Sequence, residues 1–250
     1  MNYKEYGSPD RETIILLHGG GLSWWNYRKE AELLQNEFHI ILPVLDGHAG
    51  SDTHFTTIED NAAEIISFIR SHLNGSVFLI GGLSLGGQIL LEILSQQHNI
   101  CQHALIESAM AVPSGFTNAM IRPAFSCTYP LIRHKWFAKL QFRQLRMNAE
   151  YFDDYYRDTC LIAKEDMIAF LKANTAYRFK NTIQESTADI RIFYGKKEQA
   201  GIRKSAQIIR NLLPRASLTS FPGYYHGDFS LNHPEDYVKT IRSCLTDRKA

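Results

Sequence analysis

Short apolar runs alternate along this chain with longer stretches in which apolar residues recur every three or four positions. Residues 13–17, 38–44, 77–80, 103–107, 190–194 and 217–221 read as strands, and runs such as Ile14-Ile15-Leu16-Leu17 and Val77-Phe78-Leu79-Ile80 are apolar on both faces. That pattern belongs to strands of a parallel sheet covered on both sides. Between them, Ile58, Ala62, Ile65, Ile66 and Ile69 mark one amphipathic helix, and Ile89, Leu90, Ile93 and Leu94 mark another over residues 88–97. A helix starts at Trp24, Trp25 and Tyr27 and ends near Asn36, with these aromatics as packing residues. Ile202, Ile208, Ile209 and Leu212 predict a helix ending before Pro214, and Tyr237, Val238, Ile241 and Leu245 supply the apolar face of the last one. Strands alternating with helices predict an α/β fold, a doubly wound and mostly parallel sheet. Ligands bind such sheets outside the carboxyl ends of the strands.

The pattern breaks between residues 113 and about 188, where no buried strand is legible and aromatic and basic residues crowd together. Arg122, Arg133, Lys135, Lys139, Arg143 and Arg146 are interleaved with Phe125, Tyr129, Trp136, Phe137 and Phe142. This stretch is read as a helical cap inserted over the site edge, dividing the core into residues 1–112 and 189–250. The charges read first as a solvated helix face, second as anion recognition, third as a membrane-surface patch.

The candidate chemistry gathers at predicted strand ends. Gly82-Leu83-Ser84-Leu85-Gly86-Gly87 lies where a buried strand turns into a helix, the context in which a G-x-S-x-G holds its serine hydroxyl clear of the sheet. The helix start offers backbone N–H groups beside that hydroxyl, Leu85's among them, to stabilise an oxyanion. His18-Gly19-Gly20-Gly21 ends another strand and exposes further N–H groups, with His18 bracing the loop. Serine needs a base to attack near neutrality. Of the ten histidines, His226 is the one directly after a strand in a glycine-bounded turn late in the chain, whereas His233 looks like a capping or surface residue. The order serine, acid, histidine fits Ser84, Glu198 and His226, with Glu107 as the other possible acid. Asp46 and Asp52, in a loop with Gly47, His48 and Gly50, read as turn-forming residues.

Composition narrows the picture in three ways. The 250 residues suit one α/β domain with an insertion. A formal net charge of +1 gives no general attraction for nucleic acid or an anionic membrane. Cys101, Cys127, Cys160 and Cys244 are scattered without C-x-x-C spacing, so neither a zinc site nor a disulfide framework is expected. Met1-Asn2-Tyr3-Lys4-Glu5 has no apolar core of a signal peptide, and the cytoplasm is the expected location.

These motifs together resemble the α/β-hydrolase fold superfamily, and the resemblance spans essentially the whole chain. It rests on His18-Gly19 after a strand, the glycine turn at 46–51, the Ser84 elbow, Gly195-Lys196-Lys197-Glu198, and His226 followed by Pro234-Glu235. It implies Ser84 as nucleophile, His226 as base and Glu198 as acid. It also implies an oxyanion hole from the N–H of Leu85 and that of Gly20 or Gly21. The chain departs from the family in having Tyr225-His226-Gly227 where Gly-His is usual, and glutamate where aspartate is common. The expected activity is hydrolysis of a small-molecule carboxylic ester through an acyl-enzyme, without metal or organic cofactor. Thioester, lactone and carbon–carbon bond hydrolysis use the same groups, and a ligand-binding member without turnover is the alternative from another class.

Overall fold

The computed structural model describes residues 1–246. Its strands are β1 (Tyr3–Tyr6), β2 (Thr13–Leu17), β3 (His39–Pro43), β4 (Val77–Leu83), β5 (Cys101–Glu107), β6 (Asp189–Gly195) and β7 (Ser217–Phe221). They form one sheet in the order β1-β3-β2-β4-β5-β6-β7. Every pairing is parallel except β1 with β3. Six strands stand where the apolar runs place them. β1 is the addition: Tyr-Lys-Glu-Tyr is exposed along most of its length and carries no apolar run to announce it. Its partner β3 supplies the ladder.

The helices are α1 (Arg28–Leu34), α2 (Ile58–His72), α3 (Leu85–Gln96), α4 (Gly115–Thr128), α5 (Lys135–Leu145), α6 (Phe152–Leu161), α7 (Lys164–Ala176), α8 (Ala200–Leu212), α9 (Asp228–Asn232) and α10 (Pro234–Thr246). The helix expected from Trp24 opens as a 3-10 turn, Trp24–Tyr27, before α1. The elbow helix α3 starts at Leu85, earlier than its apolar spacing shows, because Leu85, Gly86 and Gly87 form its first turn. α2 is capped by Thr57, whose side chain accepts from the Asp60 N–H at 3.0 Å.

The period-two alternation of each strand splits the core into two layers. Ile15, Leu17, Ile41, Ile80 and Ile106 face α2 and α3 on one side. Ile14, Leu16, Ile40, Leu79 and Leu105 face α1 and α10 on the other. β2 lies between β3 and β4, so the chain reverses its direction of travel across the sheet there. A crevice opens at such a reversal, beyond the carboxyl ends of the two strands, and those ends carry the glycine run and Ser84.

Between β5 and β6 the chain forms α4 to α7 with short 3-10 turns. Two polar links, one buried and one part-buried, tie these helices to the sheet side. The Trp25 indole N–H, from a fully buried ring, donates to Asp158 of α6 at 2.7 Å. Gln88 of α3 and Asn174 of α7 exchange hydrogen bonds: the Gln88 Nε2 donates to the Asn174 carbonyl and the Asn174 Nδ2 to Gln88 Oε1, each at 2.9 Å. No helix among the described residues is long and apolar enough to cross a membrane.

The elbow depends on close backbone approach. A Cβ on Gly86 would collide with the Leu17 carbonyl oxygen, and one on Gly82 with the Gly86 carbonyl. β2, β4 and α3 could then no longer meet. Gly86→Ala is expected to lower unfolding free energy by about 3 kcal/mol, read as a lower urea midpoint, with Gly115→Ala, where a Cβ meets nothing within 4 Å, as the silent control.

Candidate active site

Ser84 follows β4 directly, at φ +53° and ψ −108°. A non-glycine residue with positive φ is strained, and here both flanks hold it: its N–H donates to the Glu107 carbonyl at 2.9 Å, and its own carbonyl accepts from the Gln88 N–H at 3.0 Å. The half-buried serine lines a cavity of about 700 Å³ together with Gly19, Gly20, Ser108, Glu198 and His226.

Glu198 comes from the turn after β6 and His226 from the loop after β7. Glu198 Oε2 lies 3.0 Å from His226 Nδ1. Its Oε1 accepts from the Gly195 N–H at 2.7 Å and from the Ser108 hydroxyl at 2.8 Å. The glutamate side chain is wholly buried, while 44% of the imidazole is exposed. A carboxylate at Nδ1 selects the tautomer with its proton on that nitrogen and leaves Nε2 to accept one. The acid turn and the histidine loop are joined again by the Lys197 N–H, which donates to the Tyr224 carbonyl at 3.0 Å.

Glu107, the other candidate acid, is paired elsewhere. Its Oε1 accepts from the N–H groups of Phe229 and Ser230, at 3.1 and 3.3 Å, in the first turn of α9. It therefore anchors the segment that follows His226. Burial pushes its carboxyl up to about 7, against a smaller opposing effect of the Ser230 hydrogen bonds.

The three N–H groups of the glycine run have different fates. Gly19 donates to Asn26 Oδ1 at 3.2 Å and Gly21 to His48 Nε2 at 3.0 Å. Gly20 is exposed to the cavity, and a Cβ on it would meet the Leu85 Cβ at 3.6 Å. So Gly20 and Leu85 stand side by side, and Gly21 is already engaged. His18 is fully buried, with Nδ1 at 2.9 Å from the Gly19 carbonyl and Nε2 accepting from the Leu45 N–H at 3.1 Å. It braces the loop as expected. Burial pushes the His48 imidazole down to about 4, which keeps it neutral and able to accept from Gly21.

Asp46, Asp52, Trp24, Trp25 and Tyr27 do not line the cavity. Of the six basic residues singled out between Arg122 and Arg146, Arg146 alone does. Arg122 pairs with Glu165 at the surface, while the Lys135 and Lys139 ammonium groups lie over Tyr156 and Phe152. Ser108, His48 and Asn26 carry no motif in the sequence; their parts arise from contacts distant along the chain. A larger groove of about 920 Å³ lies beside β6, β7 and α10 and contains none of Ser84, Glu198 and His226. Among the described residues no group of three or more metal-ligating side chains is gathered.

A doubly wound sheet with a strained serine elbow and its other loops converging at the carboxyl edge is the architecture of the α/β hydrolases. The profile of the alpha/beta hydrolase family matches residues 14–240, and the chain belongs to that family. Among curated proteins it is similar to an uncharacterized hydrolase, YugF, of Bacillus subtilis, with 33% identity over 98 residues. That match covers 38% of this chain and 36% of the relative. In fold it is similar to a thermophilic esterase from Thermogutta terrifontis, with a TM-score of 0.79 at 16% identity, covering 98% of this chain and 93% of that one. It is equally similar to the enol-lactonase of Burkholderia xenovorans, with a TM-score of 0.79 at 14% identity over 98% and 96% of the two chains. Likeness at this level of identity shows the shared fold.

The raised Glu107 carboxyl generates a pH prediction. An acid that holds its proton more tightly when folded favours folding at low pH. As pH rises from about 4.5 to about 7 the unfolded chain releases that proton and the folded one does not, so stability falls across this window. Glu107→Gln keeps the acceptor oxygen without the charge. Its stability relative to wild type is expected to be near zero at pH 4 and to grow to about 3 kcal/mol by pH 8, measured by urea denaturation at each pH.

Proposed function

We propose that this chain hydrolyses small-molecule carboxylic esters through an acyl-enzyme on Ser84. The observation that carries the reading is the Glu198–His226 hydrogen bond at 3.0 Å, in one cavity with a serine on a positive-φ elbow. In this reading the imidazole Nε2 takes the Ser84 proton as Oγ attacks the ester carbonyl. The N–H groups of Leu85 and Gly20 receive the negative charge that develops on the carbonyl oxygen. The protonated imidazole, stabilised by Glu198, hands its proton to the leaving alcohol. Water deprotonated by the same nitrogen then releases the acid and restores Ser84.

Thioesters, lactones and carbon–carbon bonds next to a ketone expose the same electrophilic carbonyl, and the serine would attack each in the same way. Turnover is favoured over a purely ligand-binding role because a buried carboxylate holds the imidazole in the tautomer that a general base needs, in the cavity that Ser84 lines. We also propose the cytoplasm as location, where a reducing milieu suits the exposed free thiol of Cys127.

The test is p-nitrophenol release from esters of rising acyl length. Ser84→Ala is expected to lower kcat by about 10⁴-fold or more, and a fluorophosphonate is expected to label wild type at Ser84. Glu198→Gln is expected to lower kcat by about 10³- to 10⁴-fold with the fold intact by circular dichroism. Equal rates in wild type and Ser84→Ala would remove the serine from the mechanism.

A further inference from the structure

The cavity has a charge pattern that the ester-hydrolase reading does not use. Its lining holds two permanent cations, Arg146 and Lys197, and a single carboxylate, Glu198. That carboxylate is committed: its side chain is wholly buried and its oxygens are taken by His226, Ser108 and Gly195. Arg146 and Lys197 have no carboxylate within ion-pair distance among the described residues. Two cations elsewhere in the helical insertion are neutralised, Arg122 by Glu165 and Arg157 by Asp154 and Asp158; what sets Arg146 and Lys197 apart is their place on the cavity wall.

The two cations converge on one ring. The Arg146 guanidinium carbon stands 3.8 Å from the Tyr225 ring centre, and the Lys197 Nζ stands 5.0 Å from it. Tyr225 immediately precedes His226, and Lys197 immediately precedes Glu198. Positive charge is thus held within one residue of both the proposed base and the proposed acid.

The backbone at Arg146 is specialised too. It ends α5 in the left-handed region, at φ 55° and ψ 25°, a helix-terminating position where glycine or asparagine is the low-energy choice. An arginine there is held from outside. Asn232, at the end of α9, donates from Nδ2 to the Arg146 carbonyl at 3.0 Å and accepts the Asn148 N–H on Oδ1 at 3.0 Å. α9 is the helix that follows His226, so the turn bearing Arg146 is fastened to the histidine segment. Of the other lining residues, Ser114, Thr117, Gln144, Asn174 and Gln199 are uncharged hydrogen-bonding groups.

We propose that Arg146 and Lys197, gathered on Tyr225, form an anion subsite, and that the substrate of this cavity carries a carboxylate on its acyl or alcohol part. Arginine meets a carboxylate with two parallel N–H donors, and lysine adds a point charge. A cleft with low-dielectric walls and unpaired charge of one sign concentrates ligands of the opposite sign. The subsite deepens the proposed ester hydrolysis and rests on the same cavity accepting the substrate.

The test separates binding from turnover. Ser84→Ala protein is titrated calorimetrically with two matched pairs: monophenyl adipate against its carboxamide isostere, and 4-acetoxybenzoate against 4-acetoxybenzamide. In at least one pair the acid is expected to bind about tenfold more tightly than the amide at low salt, with the margin shrinking at high salt. Adding Arg146→Gln and Lys197→Gln is expected to bring the acid and amide affinities of that pair within about twofold, while Arg146→Lys retains part of the preference. Wild-type kcat/KM is expected to show the same acid-to-amide ratio. Equal affinities in both pairs would overturn the subsite, as would substitutions that weaken acid and amide alike. Turnover without a charge preference would leave the hydrolase reading standing and remove this inference. A preference in Ser84→Ala with no turnover of any ester by wild type would do the reverse.

Discussion

The carboxylate of Glu198 is the knot on which the site depends. One buried side chain accepts hydrogen bonds from its own turn through Gly195, from the segment after β5 through Ser108, and from the histidine loop through His226. A buried charge is tolerable only when its oxygens are satisfied, so those three segments must converge for the charge to be accommodated. The longer reach of glutamate is matched by its position one turn beyond the end of β6, where its N–H closes back on the Gly195 carbonyl at 3.1 Å. Aspartate, one methylene shorter, would have to bring its backbone inward to serve the same partners.

The opposite wall is built by accounting for N–H groups rather than charges. Asn26 and His48 take the Gly19 and Gly21 donors, which leaves Gly20 to the cavity beside Leu85. His48 is itself stacked on Phe170 of α7, with ring centres 4.4 Å apart, and meets His18 edge-on at 4.9 Å. The helical insertion therefore supports the glycine loop from above while β2 supports it from below. Two neutral buried histidines suit this work, since each accepts a backbone N–H on one nitrogen and faces a backbone carbonyl with the other.

The helices between β5 and β6 do more than cover the cavity. Trp25 to Asp158 is a buried polar link and Gln88 to Asn174 a part-buried one, and directional links of this kind set how one layer sits on another. Through the second link the cavity wall is registered on the elbow helix α3, next to the serine.

Much of this was legible in the amino-acid sequence because the determining interactions are local. Apolar runs of four or five residues announce buried strands, three-to-four spacing announces helices, and a serine between glycines at a strand–helix junction announces an elbow that only those glycines allow to close. Family membership followed from such local signals. β1 escaped because an exposed edge strand borrows its order from β3, and α9 because its first N–H groups are satisfied by a glutamate more than a hundred residues away. Choosing Glu198 over Glu107 as the partner of His226, freeing Gly20 and engaging Gly21, and drawing Arg146 out of a run of basic residues onto Tyr225 were all decided by the tertiary structure. Each is a competition among chemically equivalent groups for one partner. Residue type and spacing name the competitors, and only the packing of distant segments sets which of them comes within reach.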